Sequence, residues 1–224
     1  MRRFLVATIA LAACSPGTPS TSPTPSGAGY DVIIEGGRVV DGTGAAWFYG
    51  DLGIRGGKIA TIVPRGLLAK ATARERVNAT GLVVAPGFID IQSHSRDAFL
   101  DGDGRVVGKI SQGITTEIMG EAGSNAPQNQ GTGIDPKHDF SGPRGFDKWL
   151  TAMQTHGVSP NIGSFVGAST VRMYAKGMAQ GAATPAELDT MRAVVRNAME
   201  DGAFGIGSAL IYPPGNYAST EELI

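Results

Sequence analysis

The sequence predicts an α/β protein: the N-terminal half of a (β/α)8 barrel, preceded by a small β-rich, β-sandwich-like module. Three observations carry that expectation. Between Tyr30 and Leu82, β-branched segments interrupted by Gly-Gly pairs follow one another. From Val83 onward, apolar strand-like runs alternate with amphipathic helical segments, the order that builds parallel strands covered by helices. Four such units are legible by Ile224, about half of what a closed barrel of some 250 residues contains.

The first element is "MRRFLVATIALAAC". Two arginines precede an apolar run from Phe4 to Ala13, which has the length of a secretory signal core and falls short of the roughly 20 residues of a bilayer span. Cys14, the single cysteine, closes a Leu-Ala-Ala-Cys box similar to that of bacterial lipoproteins. The expectation is a leader over 1–14 with Cys14 lipidated and a protein anchored to the membrane of the cell envelope. With Ser15 after the cysteine, that means the periplasmic face of the outer membrane in a Gram-negative cell. The plainer alternative makes Cys14 a small residue in an ordinary secretory signal. Residues 15–29, "SPGTPSTSPTPSGAG", carry no charge and no large side chain, as a Pro/Ser/Thr-rich linker does.

The β-rich module over 30–82 contains "DVIIEGGRVVDGTG" and "DLGIRGGKIATIVP", each read as a hairpin turning at its Gly-Gly pair. The barrel part over 83–224 places strands at Val83–Ser93, Ile114–Met119, Pro160–Val166 and Phe204–Ile211. Between them, "FDKWLTAMQTHG" puts Phe146, Trp149, Leu150 and Met153 on one stripe and stops at Gly157. "TPAELDTMRAVVRNAMEDG" opens with Thr184 as N-cap, Pro185 at the first helical position and Glu187 completing a capping box. It then stripes Leu188, Met191, Val195 and Ala198. Ser219 and Glu222 repeat this start chemistry just before Ile224, from which an N-terminal fragment of a longer chain is expected.

Composition narrows the function classes. Hydrophobic residues are 42%, charged residues 17%, and the formal net charge is −1. No basic excess invites nucleic acid. Chemistry is expected at the end of the first barrel strand, "FIDIQSHS", where alternation points Asp90, Gln92 and His94 to one face. In a barrel of parallel strands that end carries the active site.

On "GGRVVDGTG", "ATGLVVAPGFIDIQSHS", "QGITTEIMGEAG", "NIGSFVGASTVR" and "GAFGIGSALIYPPGNYAS", the chain from Tyr30 onward resembles the amidohydrolase superfamily, with its TIM-type barrel. "GITTE" together with "IYPPG" narrows the resemblance to the N-acyl-D-amino-acid deacylase (D-aminoacylase) family. It implies a zinc-dependent hydrolase that removes the acyl group from N-acyl-D-amino acids or related amides; because Gln92 cannot ligate, one of the family's two usual metal positions is expected to be weakened, leaving one tightly bound zinc ion. His94 carries over as a metal ligand and Tyr212 as a contact for the substrate carboxylate. The remaining histidine ligands and the catalytic aspartate are expected beyond Ile224.

Two departures from the family pattern matter. Gln92 stands at the first histidine position, and a carboxamide oxygen is a poor zinc ligand. Ala122 stands at the family's cysteine position. Glu121, one residue earlier, supplies a carboxylate ligand if the flanking glycines turn the strand end, whereas strict alternation opposes it to Ala122. These departures keep open a catalytically inactive lipid-anchored binding protein on the same scaffold; a cyclic-amide hydrolase of dihydroorotase or hydantoinase type is a third reading.

The other polar residues have plainer readings. Asp90 either lines the base of the site, bonding backbone N–H groups, or contacts the metal. Glu117 reads as a buried structural carboxylate. His138 sits in a polar loop, and His156 lies in a last helical turn, where a cation suits the dipole. Arg172 offers a carboxylate fork or pairs with a surface acid.

Overall fold

The protein is described over residues 29–224 from a computed structural model. The leader over 1–14, its Cys14 and the linker up to Ala28 lie outside the described residues. The described part divides into two units, residues 29–85 and residues 86–224.

The first unit is a sheet of β1 (Tyr30–Val39), β2 (Phe48–Arg55), β3 (Lys58–Pro64), β4 (Ala73–Asn78) and β5 (Val83–Val84). Its order is β3-β2-β1-β4, with β5 also on β1. The β1–β2 and β2–β3 pairs are antiparallel; β4 and β5 pair with β1 in parallel. Tyr30, Ile33 and Leu68 form its buried cluster. Gly56 and Gly57 turn the β2–β3 hairpin, with φ of +59° and +71° as a two-residue primed turn requires.

The first Gly-Gly pair corrects the expectation of a hairpin. β1 runs straight through it, with a register shift between Ile34 and Gly37. Gly36, at φ +72°, donates its N–H to Asp51 Oδ1 at 2.9 Å. A Cβ on Gly37 would stand 2.5 Å from Val84 Cγ2. The pair is therefore a bulge that lets β5 approach.

The second unit alternates strands and helices: β6 (Phe88–Asp90), α1 (Arg96–Leu100), α2 (Val107–Ile110), β7 (Ile114–Met119), α3 (Gly145–His156), β8 (Asn161–Ser164), β9 (Val166–Gly167), α4 (Ala168–Lys176), α5 (Pro185–Glu200), β10 (Ile206–Gly207) and α6 (Thr220–Leu223). β6-β7-β8 form one sheet and β9-β10 another, and their pairs are all parallel. The expected strand Val83–Ser93 is thus two strands in different units. Pro86, which has no N–H to give a ladder, lies between them. The strand expected over Phe204–Ile211 is only Ile206–Gly207, and that over Pro160–Val166 breaks at Phe165 into β8 and β9.

Both long helices follow from their stripes and caps. α3 buries Phe146, Trp149 and Met153 and ends at Gly157, whose φ is +90°. α5 carries the complete capping box: Glu187 N–H donates to Thr184 Oγ1 at 3.3 Å, and Thr184 N–H to Glu187 Oε2 at 2.7 Å. Its inner face is Met191, Val194 and Ala198, so the stripe sits one step round from the one expected, with Leu188 and Val195 only partly buried. These side chains meet Phe99, Met119 and Val166 in one core. Each large side chain so buried contributes about 1.5–3 kcal/mol of transfer free energy. Among the described residues no helix is long and apolar enough to cross a membrane.

Candidate active site

The site forms where β6 and β7 end side by side. β6 stops at Asp90, so the alternation expected to carry through Gln92 to His94 is broken. Local hydrogen bonds explain the break, because short polar side chains compete with the ladder for backbone N–H groups. Asp90 Oδ1 accepts from Gln92 N at 3.0 Å, and Ser93 Oγ accepts from Ser95 N at 3.2 Å. Residues 91–95 are consequently a turn leading into α1.

β7 ends in a second turn. Gly120 has φ +94°, and Ala122 is one of two non-glycine residues among those described in the left-handed region, at φ +57°. Holding an alanine there costs about 1–2 kcal/mol. The Ala122 carbonyl accepts from Ser169 N at 2.8 Å, which ties the turn to α4. Glycine at 120 and the left-handed residue at 122 swing Glu121 out of the strand's alternation.

The two turns bring Gln92, His94 and Glu121 together. Gln92 Nε2 donates to Glu121 Oε2 at 2.5 Å, and His94 Nε2 lies 3.7 Å from the same oxygen. His94 is 64% exposed at its side chain and Glu121 36%, so both open to solvent. Two zinc ligands with bonds near 2.1 Å in a tetrahedral site stand about 3.4 Å apart. The spacing of these donors fits one ion, with Gln92 steadying the carboxylate that would hold it. Among the described residues there is no cluster of three or more His, Cys, Asp or Glu able to hold a metal. The described residues offer two donors.

Beneath this open layer lies a buried ionic one. Asp90 and Glu117 are register partners on β6 and β7, and Glu117 is completely buried. Glu117 Oε2 accepts from the hydroxyls of Ser93 and Ser95, the latter at 2.7 Å. Its Oε1 is buried without a protein partner. The ammonium of Lys109, on α2, pairs with Asp90 and lies 3.5 Å from Glu117 Oε2. The hydrogen bond from Lys109 holds the Asp90 carboxyl below its usual range, and in return Asp90 pushes the Lys109 ammonium up.

The other candidates lie apart from this cluster. Tyr212 is 59% exposed in a turn after β10 rather than at a strand end, and its carbonyl accepts from Asn216 N. Arg172 is buried and paired with Glu222, which is itself nearly buried, so neither the open fork nor the surface pair describes it. Its guanidinium also donates to the carbonyls of Ala179 and Gly181. His138 Nε2 lies 3.2 Å from Asp101 and stacks on Phe140, and His156 Nε2 lies 2.9 Å from the Gly102 carbonyl. Both serve loops.

Sequence reasoning passed over Lys109, Ser93 and Ser95. Only the register of β6 against β7 reveals them, by setting two carboxylates level.

No family model matches the chain. A D-aminoacylase from Alcaligenes xylosoxydans xylosoxydans is 38% identical over 201 residues, which is 87% of this chain and 41% of that protein. An N-acyl-D-glutamate deacylase structure from Bordetella bronchiseptica, complexed with zinc and a phosphonate inhibitor, superposes with a TM-score of 0.74 at 33% identity, covering 88% of this chain and 42% of that one. The chain is homologous to the N-acyl-D-amino-acid deacylases. A D-aminoacylase structure described by its binuclear metal centre, with one-metal activation and second-metal attenuation, gives the same TM-score at 34% identity, covering 87% of this chain and 41% of that one. The chain spans about two fifths of the length of the curated deacylases it matches. The second unit accordingly matches part of the amidohydrolase barrel fold.

Proposed function

We propose that this chain supplies part of the active site of a zinc-dependent hydrolase that removes the acyl group from N-acyl-D-amino acids. The observation that carries the reading is the convergence of His94 and Glu121 to 3.7 Å at adjacent strand ends of a deacylase-like unit. His94 and Glu121 would hold the metal, with Glu121 in the part that the family gives to a cysteine. A bound zinc supplies a Lewis acid that polarises the amide carbonyl and lowers the pKa of a water. Gln92 keeps the Glu121 carboxylate turned toward His94 through its side-chain N–H. Tyr212 is proposed as a hydroxyl donor to the substrate carboxylate.

We further propose that Cys14 is lipidated and that the protein is tethered to a membrane of the cell envelope, which in a Gram-negative cell is the periplasmic face of the outer membrane. Detergent-phase partitioning tests this: the wild type enters the detergent phase and Cys14→Ser does not. Equal release of both into the aqueous phase contradicts it.

Activity is tested by acid release from N-acetyl-D-amino acids and their L-enantiomers, before and after chelation, with the full-length protein. The expected result is D-selective turnover that chelator abolishes and zinc restores. Tight binding of the D-substrate without turnover would assign the protein to ligand binding instead.

A further inference from the structure

Asp90 and Glu117 stand level on neighbouring parallel strands, and like charges directly opposite each other destabilise a sheet. One of them has no access to solvent. A carboxylate in that position needs a cation or enough hydrogen bonds to replace its water. Two serine hydroxyls reach Glu117 Oε2, and both belong to the turn that carries His94, one on each side of it in sequence. Asp90 in turn fixes the backbone of Gln92. The side-chain hydrogen bonds of this pair of carboxylates, apart from those to Lys109, therefore lead into residues 91–95. Among the described residues, the ammonium that reaches both is Lys109, which comes from the α2 side of β7 and stays mostly covered.

We propose that Lys109 is a positioning residue of this site: by neutralising Asp90 and Glu117 together, it lets the buried carboxylate gather Ser93 and Ser95 and so sets the turn that aims Gln92 and His94 at Glu121. Lys109 touches neither substrate nor metal. It acts through the charge balance beneath the turn. Without the ammonium, the buried carboxylate has two hydroxyls for one oxygen and nothing for the other, and Asp90 repels it across the register. The turn then opens to let water in. Removing the charge of Glu117 while keeping its shape relieves that pressure, so the loss on deleting Lys109 is reversible by a second substitution.

The importance of the turn for metal rests on the proposed function, so the test has one arm free of metal. In the full-length protein stripped of metal, hydrogen exchange is followed in peptides covering residues 88–95 and 114–121 for wild type, Lys109→Met, Lys109→Arg and Lys109→Met/Glu117→Gln. Lys109→Met is expected to speed exchange at the strand ends about tenfold or more while α3 and α5 are unchanged. Lys109→Arg and the double variant return it toward wild type. Zinc affinity by competition with a chromophoric chelator is then expected to fall about tenfold in Lys109→Met and to recover in the double variant.

Unchanged exchange in Lys109→Met overturns the proposal, as does a Lys109→Met defect that Glu117→Gln fails to relieve, since that would make Lys109 a packing residue. Exchange that responds and recovers in a protein that binds no zinc would instead uphold Lys109 and overturn the metal reading.

Discussion

Glu117 lies on β7 and Glu121 in the turn just past its end, four residues apart, yet their surroundings differ completely. Glu117 lies inside the protein and takes two serine hydroxyls and an ammonium. Glu121 faces solvent beside an imidazole and a carboxamide. The difference comes from Gly120 and Ala122, whose positive φ values break the period of two. A regular strand would have sent positions 117, 119 and 121 to one face. The lesson is that a strand can bury one carboxylate and the turn that ends it can hold the next one open to solvent, at the cost of a left-handed alanine.

The largest expected effect breaks the buried layer. Lys109→Met leaves two carboxylates without their shared cation and is expected to cost on the order of 3 kcal/mol, read as a shift in the urea midpoint. Glu121→Ala provides the contrast: an exposed carboxylate outside the core should change stability by less than about 0.5 kcal/mol in the metal-free protein. If both substitutions cost the same, the two-layer description fails.

The pH dependence sharpens the contrast further. The Asp90 carboxyl lies below its ordinary 3.8, so the pair's contribution is complete above that value and is lost as pH falls through the lowered one. The Lys109 ammonium lies above its ordinary 10.5, so the contribution is complete below that value and is lost as pH rises through the raised one. Between these limits it is flat. Denaturation below pH 3.8 should therefore show wild-type stability falling more steeply than that of Lys109→Met. Parallel acid limbs would mean that the pair is not formed.

What was legible in the sequence, and what was not, follows the range of the forces involved. α3 and α5 were readable because their stripes and the Thr184–Glu187 box act within a few residues. Likewise β7, Ile114–Met119, was bounded by its own polar flanks. The run from Val83 to Ser93 misled because its apolar content is continuous while its backbone is not. Pro86 interrupts the ladder, β5 goes to another sheet, and Asp90 and Ser93 capture N–H groups that a strand would need. The Gly36–Gly37 pair looked like the Gly56–Gly57 pair, and only the buried Asp51 and the approach of Val84 separate a bulge from a turn.

Within the site, His94 and Glu121 were visible as residues, but their meeting depends on two turns on different strands. Lys109 carried no local signal at all: it sits in "GKISQG", and its partners are nineteen and eight positions away.

The most direct test of the account is the zinc content of the full-length protein and its variants, measured after dialysis. Wild type is expected to retain close to one ion per chain. Glu121→Ala should lose that ion together with turnover, while Gln92→His, by adding an imidazole at the open layer, should raise occupancy toward a second. Two tightly held ions in the wild type, or a Glu121→Ala protein with unchanged zinc and turnover, would contradict the assignment of Glu121 as the carboxylate that holds the metal.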